Sequence, residues 1–366
     1  MTLTNYWWLL LWLFTAGLFL AIAVPKRQEI LGGQKELRWY PLAAVAAIVP
    51  YIIWTGFRSD SFGDTSAYRL SFEEIPTLSG ITSYITPDTK DKGFWVFMSA
   101  FKTILGDSDI AFFLVLGAIQ LLIIALVFRK YSCNYWLSLF IFIASTDYIA
   151  WTFNCVRQFL AVTIVLACFS LLVKRKYIPL IIVILIASTL HASALIFLPF
   201  IFVVQGEPWN KKVMLFSIPV LFAILFLDRF TNIVTEIMES TQYAGAVGQF
   251  LNDDGVNIYR VLFYSVPTIL SLIFRKRIAA QHNEAMNVCV NLSIISTEFY
   301  VLGYFTSGIL AGRIPIWFSI MPMCVLMPWI IRTVFNKKSA RLIELLLVGV
   351  FCTFFVYQVF YTWELQ

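Results

Sequence analysis

Three arginines open apolar runs at ends that the charge pattern places away from the cytoplasm: Arg157 in Val156-Arg157-Gln158, Arg260 in Tyr259-Arg260-Val261 and Arg313 in Gly312-Arg313-Ile314. A guanidinium stays charged at any working pH and can bind two phosphate oxygens at once. The first turn of a helix adds unpaired backbone N–H groups and the positive end of the helix dipole. Together these features suit a diphosphate held without a metal. A charge within a bilayer costs roughly 2.5–3.5 kcal/mol, so each arginine needs a reason, either anion binding or anchoring at the interface.

His191 is the one histidine expected near the outer face, because His282 follows the basic cluster Arg275-Lys276-Arg277. Its titration range suits proton transfer, and hydrogen-bonded packing at a hairpin tip is the alternative. The segment Arg58-Ser-Asp60-Ser-Phe-Gly-Asp64-Thr-Ser-Ala-Tyr68-Arg69 gathers charge and aromatic rings directly after an apolar run. There Asp60 or Asp64 can take a proton from an attacking hydroxyl, Tyr68 can stack on a sugar face and Arg58 can contact substrate. A solvated acidic loop is the plainer reading.

Other chemistries lack their residues. No His, Cys or carboxylate lies near His191 at metal-ligand spacing, so no metal is expected. The six cysteines are scattered without a CxxC pair and read as small packing residues. No Gly-rich nucleotide loop, GxSxG or Walker motif is present, so no cofactor and no ATP-driven step is expected. The other Phe and Trp residues read as lipid-facing or interfacial and define no site.

The elements that must position these groups are membrane helices. The chain has 366 residues, of which 60% are hydrophobic and 13% charged, with mean hydropathy +0.80, a composition outside that of soluble domains. The formal net charge of +6 comes from short clusters such as Lys26-Arg27 and Lys174-Arg175-Lys176 between apolar runs. These are topology signals and not a nucleic-acid footprint. The first run, Tyr6 to Val24, is followed rather than preceded by its basic residues and is expected to be a retained span.

A helical span needs about 20 apolar residues. Such runs fall near 6–24, 40–57, 109–128, 134–152, 157–173, 212–228, 259–274, 285–308, 313–332 and 342–361. Tyr177 to Val204 is too long for one ordinary span and is interrupted at Ser188-Thr189-Leu190-His191-Ala192-Ser193. Two short crossings there keep every later basic cluster on the cytoplasmic side, as the positive-inside rule requires. The result is an all-α, polytopic transmembrane bundle of about twelve crossings with both termini outside. Residues 1–366 form one membrane domain with two external segments, 58–108 and 229–258. The first carries four basic and six acidic side chains between Arg58 and Lys92, and Gly93 to Leu105 is expected to lie as an interfacial helix. The second carries one basic and five acidic side chains between Asp228 and Asn257.

Five motifs in order resemble a known group. They are Asp64-x-x-x-Tyr68, Asp91-Lys-Gly93-Phe94, Val156-Arg157-Gln158-Phe-Leu-Ala161, Leu190-His191-Ala-Ser193-Ala-Leu and Gly312-Arg313. Their order and spacing, from about 58 to 330, resemble the EpsG branch of Wzy-type polysaccharide polymerases. In that branch an acidic residue directly precedes the Gly-Phe pair. Here Lys92 intervenes, so no role is carried over to Asp91.

The resemblance implies a metal-independent glycosyltransferase of the bacterial inner membrane, with its site facing the periplasm or cell exterior. It would join undecaprenyl-diphosphate-linked oligosaccharide repeat units into O-antigen (lipopolysaccharide), capsule or exopolysaccharide. Arg157 and Arg313 would hold the diphosphate with Arg260 assisting, and His191, or otherwise Asp64, would act as base. Gln158 and Ser193 would contact substrate. Membrane lipid, a chain-length regulator and a flippase of the same pathway are the implied partners, and a fold like that of the GT-C transmembrane glycosyltransferases is compatible. Two rivals remain: a flippase for the same lipid-linked unit, and another lipid-linked sugar transferase or membrane acyltransferase.

Overall fold

The structure, a computed structural model, describes residues 6–31, 34–60, 62–240, 245, 247–308 and 311–362. Almost all the described elements are helices, and the apolar runs read from the sequence each fall on helical segments. Among the described residues, four helices are long and apolar enough to cross a membrane: Asp109–Tyr131, Glu284–Phe305, Ile316–Val334 and Lys337–Phe360. The count rises to six if each of two bent pairs is one span. Six further apolar helices of 10–17 residues fall short of the roughly 20 that a bilayer needs. Length and composition therefore carry four to six spans of a multi-pass membrane protein.

Local sequence explains where these helices start. Ser108 accepts a hydrogen bond from the Ala111 N–H, Asp109 occupies the first turn of Asp109–Tyr131, and Arg129 and Lys130 occupy its last. Each charge thus sits at the dipole end that favours it. Asn210, Asn283 and Asn336 cap Lys211–Leu225, Glu284–Phe305 and Lys337–Val356 in the same way.

Chain contacts divide the protein into two compact units, Met1–Leu195 with Phe335–Gln366, and Ile196–Val334. In the first, Pro41–Gly56 packs along Asp109–Tyr131, which packs on Val156–Ala167, which packs in turn on Tyr177–Leu190. Small residues let the first pair close: a Cβ on Gly117 would collide with Thr55 Oγ1, and one on Gly56 with Leu114 Cγ. Thr55 Oγ1 donates to the Phe113 carbonyl at 3.1 Å across this crossing. Gly117→Leu is expected to force the helices apart at a cost of about 1–3 kcal/mol, read as a lowered Tm in detergent. Lys337–Val356 exposes Leu342, Leu345, Leu346 and Val350 along one stripe, as a lipid-facing helix does.

In the second unit Glu284–Phe305 lies at the centre, against Lys211–Leu225, Ile258–Ile273 and Ile316–Met321. Phe200, Phe299 and Phe318 form its aromatic core, with Phe299 stacked on Phe318 at 5.5 Å.

Several segments differ from the sequence reading. The first connection is an antiparallel hairpin, Lys26–Leu31 with Gln34–Trp39, paired from Lys26↔Trp39 to Leu31↔Gln34. Its Glu29 carboxylate receives Arg129 Nη2 at 2.5 Å, and that hydrogen bond holds the carboxyl below its usual range. The run 134–152 is two helices, Tyr135–Ala144 and Asp147–Phe153, bent by 71°. The two segments read as external carry more helix than expected: Thr65–Glu74 and Ile81–Tyr84 precede the expected helix, Lys92–Leu105, in the first, and Leu227–Glu239 turns 99° from the preceding helix Lys211–Leu225 in the second. Tyr177 to Val204, by contrast, is broken where the sequence reading placed its interruption. Tyr177–Leu190 stops at an extended His191 (φ −159°, ψ 119°), and a 3-10 turn follows from Ala192.

Candidate active site

Arg157 stands in the first turn of Val156–Ala167. Its Nε donates to the Tyr68 hydroxyl at 3.2 Å, and its Nη1 donates to Asp91 Oδ2 at 2.8 Å. The other Asp91 oxygen, Oδ1, accepts the Ala192 backbone N–H at 3.1 Å. One carboxylate thus ties a helix N-terminus to the turn that carries His191. Its side chain is only 7% exposed, whereas that of Arg157 is 30% exposed. Nη2 of Arg157 has no hydrogen-bond partner among the described residues, so half of the guanidinium fork is fixed and half remains for an anion.

The local sequence makes this reach possible. Asp91 precedes Lys92–Leu105 with left-handed backbone (φ 54°), a region that Asp tolerates better than most residues, and its carboxylate does not cap its own helix. Gly93 then lets two helix ends touch, since a Cβ there would collide with Thr189 Oγ1 and lie 2.9 Å from the Thr189 carbonyl carbon. Gly93→Ala is expected to push Asp91 away from Ala192, lowering Tm by the equivalent of about 1–3 kcal/mol and reducing turnover.

At the turn, His191 Nδ1 lies 2.7 Å from Ser193 Oγ and accepts the Ser193 backbone N–H at 3.3 Å. Gln158 Nε2 donates to the same Ser193 Oγ at 3.2 Å. A backbone N–H can only donate, so Nδ1 is an acceptor and the proton of the neutral ring sits on Nε2. Ser193 then donates to Nδ1 while accepting from Gln158. In this form Nε2 offers a hydrogen and not the lone pair that a general base requires. Burial pushes the Tyr68 phenol up against an opposing influence from Arg157, so it stays neutral.

Of the five motifs that carry the family resemblance, the four from Asp64 to Leu195 lie in one unit and Gly312-Arg313 lies in the other. The sequence model of the EpsG family matches residues 42–364. The chain belongs to the EpsG family. No curated protein and no solved structure matches it. Membership places this EpsG-family protein in membrane-bound polysaccharide biosynthesis.

Not every residue of this EpsG-family chain takes its expected place. Arg58 is fully buried, donating to the carbonyls of Thr55 (2.6 Å) and Phe153 (3.2 Å) with its guanidinium carbon 4.3 Å from the Phe113 ring centre. It braces the core instead of meeting substrate. Tyr68 is also buried, with 7% exposure, and serves Arg157 in place of stacking on a sugar. Asp60 is committed to Arg69 Nε at 2.7 Å, and Arg69 also pairs with Asp109. Asp64 stays exposed, with its N–H held by Asn154 Oδ1 at 3.1 Å. Among the described residues, no group of three or more His, Cys, Asp or Glu is arranged to hold a metal ion.

Arg260 and Arg313 belong to the second unit. Arg260 lies in the first turn of Ile258–Ile273, with its guanidinium carbon 5.7 Å from the Tyr300 ring centre. Arg313 is exposed and ends the 3-10 turn Ala311–Arg313, ahead of the α-helix that begins at Ile316 rather than within its first turn. The junction carrying both is stitched by Val256 N–H to the Gly303 carbonyl (2.9 Å) and Ser307 Oγ to Asp253 (2.6 Å).

Sequence reasoning passed over Asp91 because the intervening Lys92 breaks the expected spacing. The one signal was the charged residue ahead of Gly93-Phe94, on the outer side with Arg157.

Proposed function

We propose that this protein is the polymerase that joins undecaprenyl-diphosphate-linked oligosaccharide repeat units on the outer face of the bacterial inner membrane, forming O-antigen, capsule or exopolysaccharide. The observation that supports this most is the Arg157 fork, held on one side by Tyr68 and Asp91 and available on the other to phosphate oxygens. A leaving diphosphate needs its growing charge stabilised more than it needs a proton, and a preorganised guanidinium does that.

In the proposed step a terminal hydroxyl of one lipid-linked unit attacks the anomeric carbon of another. The new C–O bond forms as the bond from the anomeric carbon to the phosphate oxygen breaks, and its electron pair leaves with the lipid diphosphate. The hydroxyl proton passes to Asp64, the exposed carboxylate beside the site. His191, with Nε2 protonated, donates a hydrogen bond to substrate, with Gln158 and Ser193 setting its orientation. The chain would cross the membrane about twelve times, the shorter apolar helices included, and work beside a flippase and a chain-length regulator.

The test is purified protein in lipid nanodiscs with the undecaprenyl-diphosphate-linked repeat unit as sole substrate, with products separated on a gel. A ladder of linked units supports the polymerase. Movement of labelled lipid between leaflets with no ladder overturns it in favour of a flippase.

A further inference from the structure

Trp95 is the fourth residue of Lys92–Leu105, and its indole N–H donates to the Lys90 carbonyl at 2.9 Å, which fixes the plane of the ring. The ring stays half-buried, although its neighbour Phe94 is fully buried. Arg157 places its guanidinium carbon 5.8 Å from the ring centre. Tyr84, also half-buried, stands edge-on to the indole with ring centres 6.4 Å apart. Burial and then the Glu74 carboxylate push the Tyr84 phenol up.

An indole fixed in its plane, a second aromatic ring beside it and a guanidinium at its margin match the chemistry of a pyranose. Its C–H face is apolar and packs on an aromatic ring, while its rim of hydroxyls needs charged and polar partners. We infer that Trp95 and Tyr84 form a subsite for the sugar residue bonded directly to the lipid diphosphate. The inference rests on the reading of Arg157 as the diphosphate site. One glycosidic oxygen separates that phosphate from its sugar, so a phosphate at the guanidinium brings the ring onto the adjoining indole. This subsite would give the protein its preference for a glycosylated lipid over the bare carrier, and Trp95 and Tyr84 would contribute through shape and stacking.

The test compares two probes on the full-length protein in nanodiscs: radiolabelled undecaprenyl diphosphate, and the undecaprenyl-diphosphate-linked repeat unit extracted from the producing strain. Trp95→Ala is expected to weaken binding of the glycosylated lipid about three- to tenfold and to leave the bare diphosphate unchanged. Tyr84→Ala should show a smaller loss of the same kind. Trp95→Phe, which keeps an aromatic face and guards against misfolding of the alanine variant, should retain most of the preference. Equal loss for both probes, or none for either, overturns the subsite. The parent reading fails separately, if Arg157→Ala leaves both affinities unchanged.

Discussion

Arg157→Ala is expected to lower the initial rate of polymer formation by about 10²–10³-fold, the usual effect of removing one preorganised donor from a developing oxyanion. The bare substitution has a second consequence. It strands the Asp91 carboxylate, only 7% exposed, without its cation, and an unpaired buried charge can cost 3–5 kcal/mol. The double variant Arg157→Ala with Asp91→Asn removes that charge, so it should recover most of the lost Tm and yet remain inactive. Arg157→Lys should stay well below wild type. An ammonium cannot meet Tyr68, Asp91 and a phosphate in the directions that the planar fork uses. Wild-type chain length and rate from the well-folded double variant would remove Arg157 from the chemistry.

The membrane character of the protein was legible from composition, and the positions of its helices from apolar runs, because lipid imposes a long, uninterrupted signal. Breaks inside those runs were not. Thr146 takes a positive φ of 62° between two helices that together pass for one apolar run, so hydropathy shows a single span where the backbone turns by 71°. The hairpin at Lys26–Trp39 was masked by its charge. Gly32-Gly33 between two six-residue stretches is a two-residue turn signal, but Lys and Arg there read first as a topology marker.

Within the site, residue types were legible and their partners were not. Arg58 and Arg69 look alike in a charged loop, but the carbonyls of Thr55 and Phe153 draw Arg58 into the core while Asp60 and Asp109 hold Arg69 at its edge. Phe153 is 95 positions from Arg58 in the chain, a pairing that no local pattern announces. The interruption at His191 was visible as a run of Ser, Thr and Ala. Its consequence, a turn whose Ala192 N–H faces a distant carboxylate, depends on Gly93 permitting two helix ends to meet.

That dependence leads to the second large effect. Asp91 touches Arg157 and Ala192 but has no assigned contact with substrate, so it acts as a positioning residue, and its two bonds can be separated by substitution. Asp91→Asn keeps an acceptor for the Ala192 N–H and removes a negative charge beside the phosphate site. At an effective dielectric constant of about 40, between the value near a protein surface and that of water, a unit charge about 6 Å from a phosphate contributes on the order of 1–2 kcal/mol. The undecaprenyl-diphosphate-linked repeat unit should therefore bind the Asn variant about tenfold more tightly, read as a lower KM in turnover assays. The rate constant should fall by about tenfold or more, because Arg157 is no longer drawn into its fixed half-engaged geometry. Asp91→Ala loses both bonds, so kcat should drop further and Tm should fall as the turn at His191 is released. A carboxylate that served only stability would lower Tm in both variants and leave KM unchanged. Opposed changes in KM and kcat for the Asn variant, with Tm near wild type, are what distinguish a group that balances the guanidinium between orientation and anion capture.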